Sequence, residues 1–265
     1  MQRISSRHNP LVARYRAAAR GDARDVLLLD GIHLVSEAAA AGVPLREAAV
    51  KSDAMTITEI GMLVERLTGA GVTVAVVSAP VMDAISPVHS SSTIVALADR
   101  NAAAVDRVYR GTAPLAIIAV DVQDPGNVGA IVRVAEAAGA AGVVAAGASA
   151  DPFGWKALRG SMGSTLRLPV AVQPDVDRAV ADARAYGCRV IATVPRHGRS
   201  LFDVDYRGPA AVLIGGEGPG LPPALAAAAD ELVTIPMQAP VESLNAAVTA
   251  ALVAYEARRQ RAEKQ

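Results

Sequence analysis

The sequence predicts an α/β fold in two blocks, the second built on a mostly parallel sheet. Three observations predict it. Short apolar or β-branched runs alternate with amphipathic, alanine-rich stretches along most of the chain. The run LAIIAV, which opens the second block at residue 115, is continuously apolar, as in a strand covered on both faces. Between the blocks lies RNAAAVDRVYRGTAP, residues 100–114, charged, alanine-rich and closed by Gly111 and Pro114, which reads as a linker. The expected organisation is a small α/β domain over 1–99, a linker over 100–113 and a larger α/β domain over 114–265.

In the first block an amphipathic stretch from Pro10 to Ala19 precedes the strand VLLLD at 26–30. A helix from Ile32 to Ala41, a strand near Val50, a helix from Thr58 to Thr68 and the strands VTVAVV (72–77) and STIVALAD (92–99) follow. In the second block LAIIAVDV (115–122) leads through the turn QDPGNVG into a helix that stops at Gly139. Strands are expected at GVVAAG (142–147), RLPVAV (167–172), CRVIATV (188–194), AAVLIGG (210–216) and ELVTIPM (231–237), with a terminal helix from Ser243 to Arg261. Ligand sites belong in the loops beyond the strands' carboxyl ends.

Composition narrows the function classes. No uncharged apolar run reaches the roughly 20 residues of a membrane span, so the sequence reads as that of a soluble protein. The start lacks the apolar stretch of a secretory signal, and Cys188 is the single cysteine, which suits a reducing cytoplasm. Cys188 itself reads as a small buried strand residue rather than a nucleophile. No metal-ligand pattern is assigned. Net charge is zero, but residues 1–25 carry six arginines against Asp22 and Asp25, leaving that segment at +4. Such a helix fits either a phosphate-contacting surface or a solvated face.

Three loops of the second block carry unusual chemistry. In DPGNVGAIVR, Pro125 and Gly126 shape a turn, Asn127 can cap the helix, and Arg133 sits between Ile131, Val132 and Val134. Burying that guanidinium needs a partner, so Arg133 is either a paired structural arginine or a functional one. In LIGGEGPGL (213–221), four glycines surround Glu217, permitting positive φ and close backbone approach. A dinucleotide fingerprint begun at Gly216 fails, because Leu221 stands where its last glycine belongs and Pro219 removes an amide donor. In IPMQAPVESLN (235–245), Pro236 and Pro240 bracket a rigid connection whose carbonyls are left free for a ligand. Ser243 or Asn245 can cap the following helix, yet one cap would suffice.

Together DVQDPGNVGAIVRVAEAAGA, LIGGEGPGL and IPMQAPVESLNAAVTAALVAYEA resemble the three successive motifs of the SpoU (TrmH-like) RNA 2′-O-ribose methyltransferases of the SPOUT class, in the right order over residues 115–260. The first block, with GIHLVSEAAAAGVPL, is similar to the ribosomal-protein-like RNA-binding domain that precedes the catalytic one in many of them. The resemblance implies a trefoil knot, an S-adenosylmethionine site in the knotted loops, and a homodimer formed through the methyltransferase domain. By motif matching it implies catalytic roles for Asn127, Arg133, Glu217, Ser243 and Asn245. It places Gly215, Gly216, Ile235, Met237 and Leu244 around the cofactor, with Thr193 a further candidate. Apolar Ala246, Val248, Ala250 and Val253 would face the domain or the partner chain.

The implied reaction is attack of a ribose 2′-hydroxyl on the methyl of S-adenosylmethionine, the RNA being ribosomal (23S) rather than transfer RNA because a separate leading domain is present. A guanidinium with a pKa above about 12 is a poor base, so Arg133 is expected to grip a phosphate and steady developing charge. Arg3, Arg7 and Arg14 on the first helix and Arg159, Ser161 and Ser164 in DPFGWKALRGSMGSTLRLPV (151–170) are the expected RNA contacts. Trp155 in the same stretch fits base stacking or a core position. The rival readings are a transfer RNA 2′-O-methyltransferase, a non-catalytic RNA binder of the same fold, and a nucleotide-dependent oxidoreductase.

Overall fold

The computed structural model describes residues 1–218 and 220–262, and its contacts divide the chain into two compact units. Pro219 and the last three residues lie outside the described residues.

The first unit comprises Met1–Asn101 and Phe153–Arg167. Its elements are β1 (Gln2–Ile4), α1 (Pro10–Arg20), β2 (Val26–Asp30), α2 (Ile32–Ala40), β3 (Leu45–Lys51), α3 (Thr58–Gly69), β4 (Thr73–Val77), α4 (Ala79–Ile85) and β5 (Ile94–Asp99). The sheet runs in the order β1-β4-β3-β5-β2, with only β5 antiparallel to its neighbours. Helix α1 starts cleanly because Asn9 Oδ1 accepts from the Leu11 N–H and Pro10 occupies the first turn; it stops at Gly21 with φ of 80°. Leu11, Val12 and Tyr15 form its buried stripe, packing with Leu28, Val77 and Val95. That stripe leaves the arginines of α1 outside.

The second unit, Ala102–Pro152 and Leu168–Gln265, begins with α5 (Val105–Val108). This corrects the linker reading of 100–113: Val108 and Tyr109 are buried in the core of this unit, so the stretch is packed structure. Then come β6 (Leu115–Val120), α6 (Pro125–Ala138) and β7 (Gly142–Ala146). The chain next forms α7 (Trp155–Ser161), which clusters with the first unit although its sequence neighbours belong to the second. It returns for β8 (Val170–Gln173), α8 (Val176–Ala185), β9 (Arg189–Thr193), β10 (Arg199–Ser200), β11 (Ala210–Gly215), α9 (Pro223–Ala227), β12 (Glu231–Thr234) and α10 (Ala246–Ala262).

Seven strands make one sheet, β10-β12-β9-β11-β6-β7-β8, parallel at every pairing. All six residues of β6 are at most 1% exposed, because both faces are covered. Ala116, Ile118 and Val120 pack with Ala179, Val180 and Ala183 of α8. Their alternates Leu115 and Ile117 face the other layer, where α6 and α10 pack on each other. Each fully buried Ile or Leu contributes about 1.5–3 kcal/mol, so this central strand anchors the unit. No helix among the described residues is long and apolar enough to cross a membrane.

Candidate active site

Strands β12, β9, β11 and β6 are consecutive neighbours in the sheet and run the same way, so their carboxyl-end loops converge. β11 is the pivot, paired with β9 through Leu213 and with β6 through Gly215. The loops after β9, β11 and β12 enclose a cavity of about 370 Å³, within the usual range for small-molecule sites. Thr193, Gly215, Gly216, Ile235, Met237 and Leu244, all marked in the sequence, line it. Val194, Pro195, Leu221 and Thr249 also line it and were not anticipated. Thr249 follows Asn245 by one helical turn, a spacing that could have identified it. Thr193 Oγ1 donates to Leu213 O at 2.9 Å, tying β9 to β11 where both enter the pocket.

The glycines of the second motif serve two different purposes. Gly218 and Gly220 sit at φ of 96° and 68°, the left-handed region. Gly215 and Gly216 are required by close backbone approach. A Cβ on Gly216 would meet Asp121 O at 2.0 Å, and one on Gly215 would meet Gly220 C at 2.5 Å. Asp121 is itself at φ of 54°, with Oδ1 accepting from Ala148 N–H at 2.7 Å. Here glycine lets backbone touch backbone, and the ligand wall is what results.

At the rim of this cavity one residue from each motif joins a chain of side-chain hydrogen bonds. Asn245 Nδ2 donates to Asn127 Oδ1 at 3.0 Å, and Asn127 Nδ2 donates to Glu217 Oε1 at 2.5 Å. The Gln123 N–H donates to Glu217 Oε2 at 3.3 Å. Asn127 is available to this network because it does not cap α6, and Asn245 joins through Nδ2 while its Oδ1 serves as one of the two caps expected for α10. Asp124, and not Asn127, caps α6: its Oδ1 accepts from the Asn127 N–H at 2.8 Å. Asn245, and not Ser243, caps α10, Oδ1 accepting from the Ala247 and Val248 N–H groups at 2.8 and 3.3 Å. The helix therefore starts at Ala246. Ser243 is exposed and lines the cavity, while Glu242 pairs with Arg196 at 3.5 Å.

Arg133 differs from expectation. It is exposed on α6, with no hydrogen bond or ion pair among the described residues, and it does not line the cavity. Val128, Ile131, Val132 and Ala135 form the buried stripe of α6, and residue 133 falls outside it.

Residues 114–255, which carry all three loops and the Asn-Asn-Glu chain, match the model of the SpoU rRNA Methylase family. The chain belongs to the SpoU rRNA methylase family. An uncharacterized tRNA/rRNA methyltransferase of Synechocystis is 32% identical over 97% of this chain and 93% of that one. The 23S rRNA (guanosine(2553)-2′-O)-methyltransferase RlmP of Bacillus subtilis is 29% identical over 88% of this chain and 89% of its own. An AdoMet-bound rRNA methyltransferase from Sinorhizobium meliloti superposes with a TM-score of 0.86 at 27% identity, covering 97% of each chain.

The first unit of this SpoU family member holds the expected RNA contacts, and here the structure corrects several. Ser161 and Ser164 are buried, and Ser161 Oγ donates to Leu158 O, so neither faces a ligand. Arg14 is engaged by Glu47 through two nitrogens, at 2.9 and 2.6 Å. Arg3 lies on β1 and Arg7 in the turn before α1, so neither is on the first helix as expected; both are exposed, Arg7 Nε donating to Pro80 O at 2.9 Å. Arg159 is half-exposed and bound to Asp30. Trp155 packs against the first unit's core, with Lys156 Nζ 5.5 Å from its ring centroid.

A second cavity of about 390 Å³ lies in the second unit beside Phe202, Asp205, Arg207 and Arg259. Its cations are committed: Arg207 grips Asp205, holding that carboxyl well below the usual range, and Arg259 pairs with Glu256. None of the three motifs reaches it.

Proposed function

We propose that this chain methylates a ribose 2′-hydroxyl of ribosomal RNA, with S-adenosylmethionine as the methyl donor. The observation that carries the reading is the Asn245–Asn127–Glu217 chain, which ties the first motif to a cavity lined by the second and third. The cavity suits the donor. Ile235, Met237, Leu221 and Leu244 offer apolar walls to a purine ring and to methylene groups, and the glycine-lined main chain can meet polar edges. S-adenosylmethionine supplies a methyl group made electrophilic by its sulfonium. The chain's own residues then have to hold the acceptor in line, which is worth several kcal/mol of barrier. Glu217, fixed by Asn127 and the Gln123 amide, sets the loop over the cavity, and Ser243 reaches into it.

Arg133 is the positioning residue for the RNA. Its guanidinium is exposed and unpaired among the described residues, as a phosphate grip requires. Because Arg133 lines no part of its own chain's cavity, the complete site draws on a second copy. Val248, Leu252 and Tyr255, spaced along one face of α10, are 46%, 40% and 51% exposed and supply an apolar surface for that homodimer. A carboxyl-terminal trefoil knot belongs to the same reading, and the close approach of Gly216 to Asp121 O, from a segment about 95 residues earlier, is consistent with it. The leading α/β unit, with Arg3 and Arg7 exposed, binds RNA, and the single thiol suits a reducing cytoplasm.

The test is incubation with labelled S-adenosylmethionine and total RNA, followed by mapping of the methylated ribose. Label on a base, or none on any RNA, overturns the reading. The variant Arg133→Lys keeps charge but loses the two-pronged geometry, so turnover should fall at least tenfold (about 1.4 kcal/mol) with donor affinity unchanged. Near-normal turnover would remove Arg133 from the mechanism.

A further inference from the structure

Asp30, the last residue of β2, has a side chain entirely out of solvent. Both its oxygens are used. Oδ1 accepts from Ser86 Oγ at 2.9 Å, and Oδ2 accepts from Arg159 Nη1 at 2.8 Å. Ser86 Oγ also accepts from the Ser92 N–H at 3.3 Å, so the loop between α4 and β5 is tied into the same cluster. A buried carboxylate is expensive unless paired, and an apolar residue would usually fill such a place at less cost.

Its partner is not buried in the same way. Arg159 remains 47% exposed, and Nη1 is its only nitrogen with a hydrogen bond among the described residues. One prong of the guanidinium is thus fixed inside the unit, and the other donors remain available outside. Lys156, exposed one turn earlier on α7, adds a second cation on the same helix face. The segment that carries them is held firmly: Met162 O contacts His33 Nε2 at 3.3 Å, and Arg167 pairs with Glu37. His33 and Glu37 lie one turn apart on α2, and a Cβ on Gly163 would meet Glu37 Cγ at 2.9 Å.

We infer that Asp30 is a positioning residue for RNA: its buried carboxylate aims Arg159 outward as a phosphate-binding fork, beside Lys156. The arrangement fixes the fork before RNA arrives, so less side-chain entropy is lost on binding. This inference rests on the proposed RNA substrate and adds a grip in the first unit to it.

The test measures binding of a 23S ribosomal RNA transcript across a salt series, with S-adenosylmethionine affinity by calorimetry as the control for folding. Arg159→Gln should weaken binding several-fold and reduce the slope of log affinity against log salt by about 0.7–0.9, one phosphate contact. Asp30→Asn, which keeps the shape and the Ser86 acceptor, should produce the same loss, and the double variant should be no weaker than either single. Long-range electrostatics alone predicts the opposite for Asp30→Asn, since removing a negative charge favours an anionic partner. In methylation assays the effect should appear in KM for RNA with kcat retained. Wild-type-like or tighter binding by Asp30→Asn overturns the inference. If that variant does not fold, Arg159→Lys decides, because a point charge cannot serve both Asp30 and a phosphate: weakened binding supports the fork and unchanged binding sinks it. A wild-type protein that binds donor but no transcript would overturn the proposed function as well.

Discussion

Asn127 and Arg133 stand six residues apart on one helix, and sequence reasoning served them unequally. The Asn127–Glu217–Asn245 association was legible because three motifs at the carboxyl ends of parallel strands had to meet. The division of labour was not, since any of Asp124, Asn127, Ser243 and Asn245 can cap a helix and only coordinates say which does. Arg133 was judged against its sequence neighbours, whereas burial on α6 follows the helical period. Ser161 misled for a related reason: a hydroxyl satisfied by its own helix's carbonyl is as easily buried as exposed. The backbone contact at Gly216 yields a sharp prediction. Gly216→Ala places a methyl against Asp121 O, 2.0 Å away, so the second motif must shift. Overpacking of this kind costs about 1–3 kcal/mol, and donor affinity measured by calorimetry should fall tenfold or more. Unchanged affinity would mean that the loop relaxes freely and that the contact has no bearing on the pocket.

At the level of elements, most strands and helices were legible from periodicity, and the omissions have simple causes. β1 and β10, three and two residues long, are too short to display alternation and exist because a neighbouring edge accepts them. The presumed linker looked polar because only Val108 and Tyr109 of it turn inward. Helix α10 shows how its far end is secured. Glu256, 7% exposed, accepts from Arg259 and Gln260; Gln260 donates to Val204 O, and Arg261 donates to Tyr206 O and Ala113 O. The Arg259 guanidinium, aided by Gln260, lowers the Glu256 carboxyl below its ordinary value. A lowered folded-state value means stability present above the unfolded carboxylate pKa and lost as pH falls through the folded one. Glu256→Gln should therefore lower Tm by about 2–4 °C at pH 7, the equivalent of roughly 1 kcal/mol. In thermal melts at successively lower pH that gap should close below the usual carboxylate range. A gap independent of pH would assign the loss to packing instead.

For the whole molecule, equal numbers of cations and anions gave no hint of a nucleic-acid partner, and the family resemblance rather than composition pointed to RNA. The return of Phe153–Arg167 to the first unit was invisible in sequence, since nothing in its composition distinguishes a long βα loop from an exchanged segment. Self-association is the property most open to test at this scale. Leu252 is 40% exposed in the middle of the α10 stripe, and Leu252→Arg should convert a dimer into monomers in sedimentation experiments without unfolding either unit. If Arg133 serves the cavity of a second copy, as proposed, methyl transfer should fall with it. A monomeric wild type with full turnover would remove the second copy from the mechanism.

The place of β11 between β6 and β9 also dictates a sequence of assembly. A nascent chain that has passed β9 possesses both flanking strands but must leave a slot between them, and Leu213 and Gly215 cannot find their ladders until roughly ninety-five residues after β6 have been made. The last polar link, Asn245, arrives later still. Donor binding thus reports that the middle strand is in place between its two neighbours, because the residues it delivers to the pocket, Gly215 and Gly216, lie at its end.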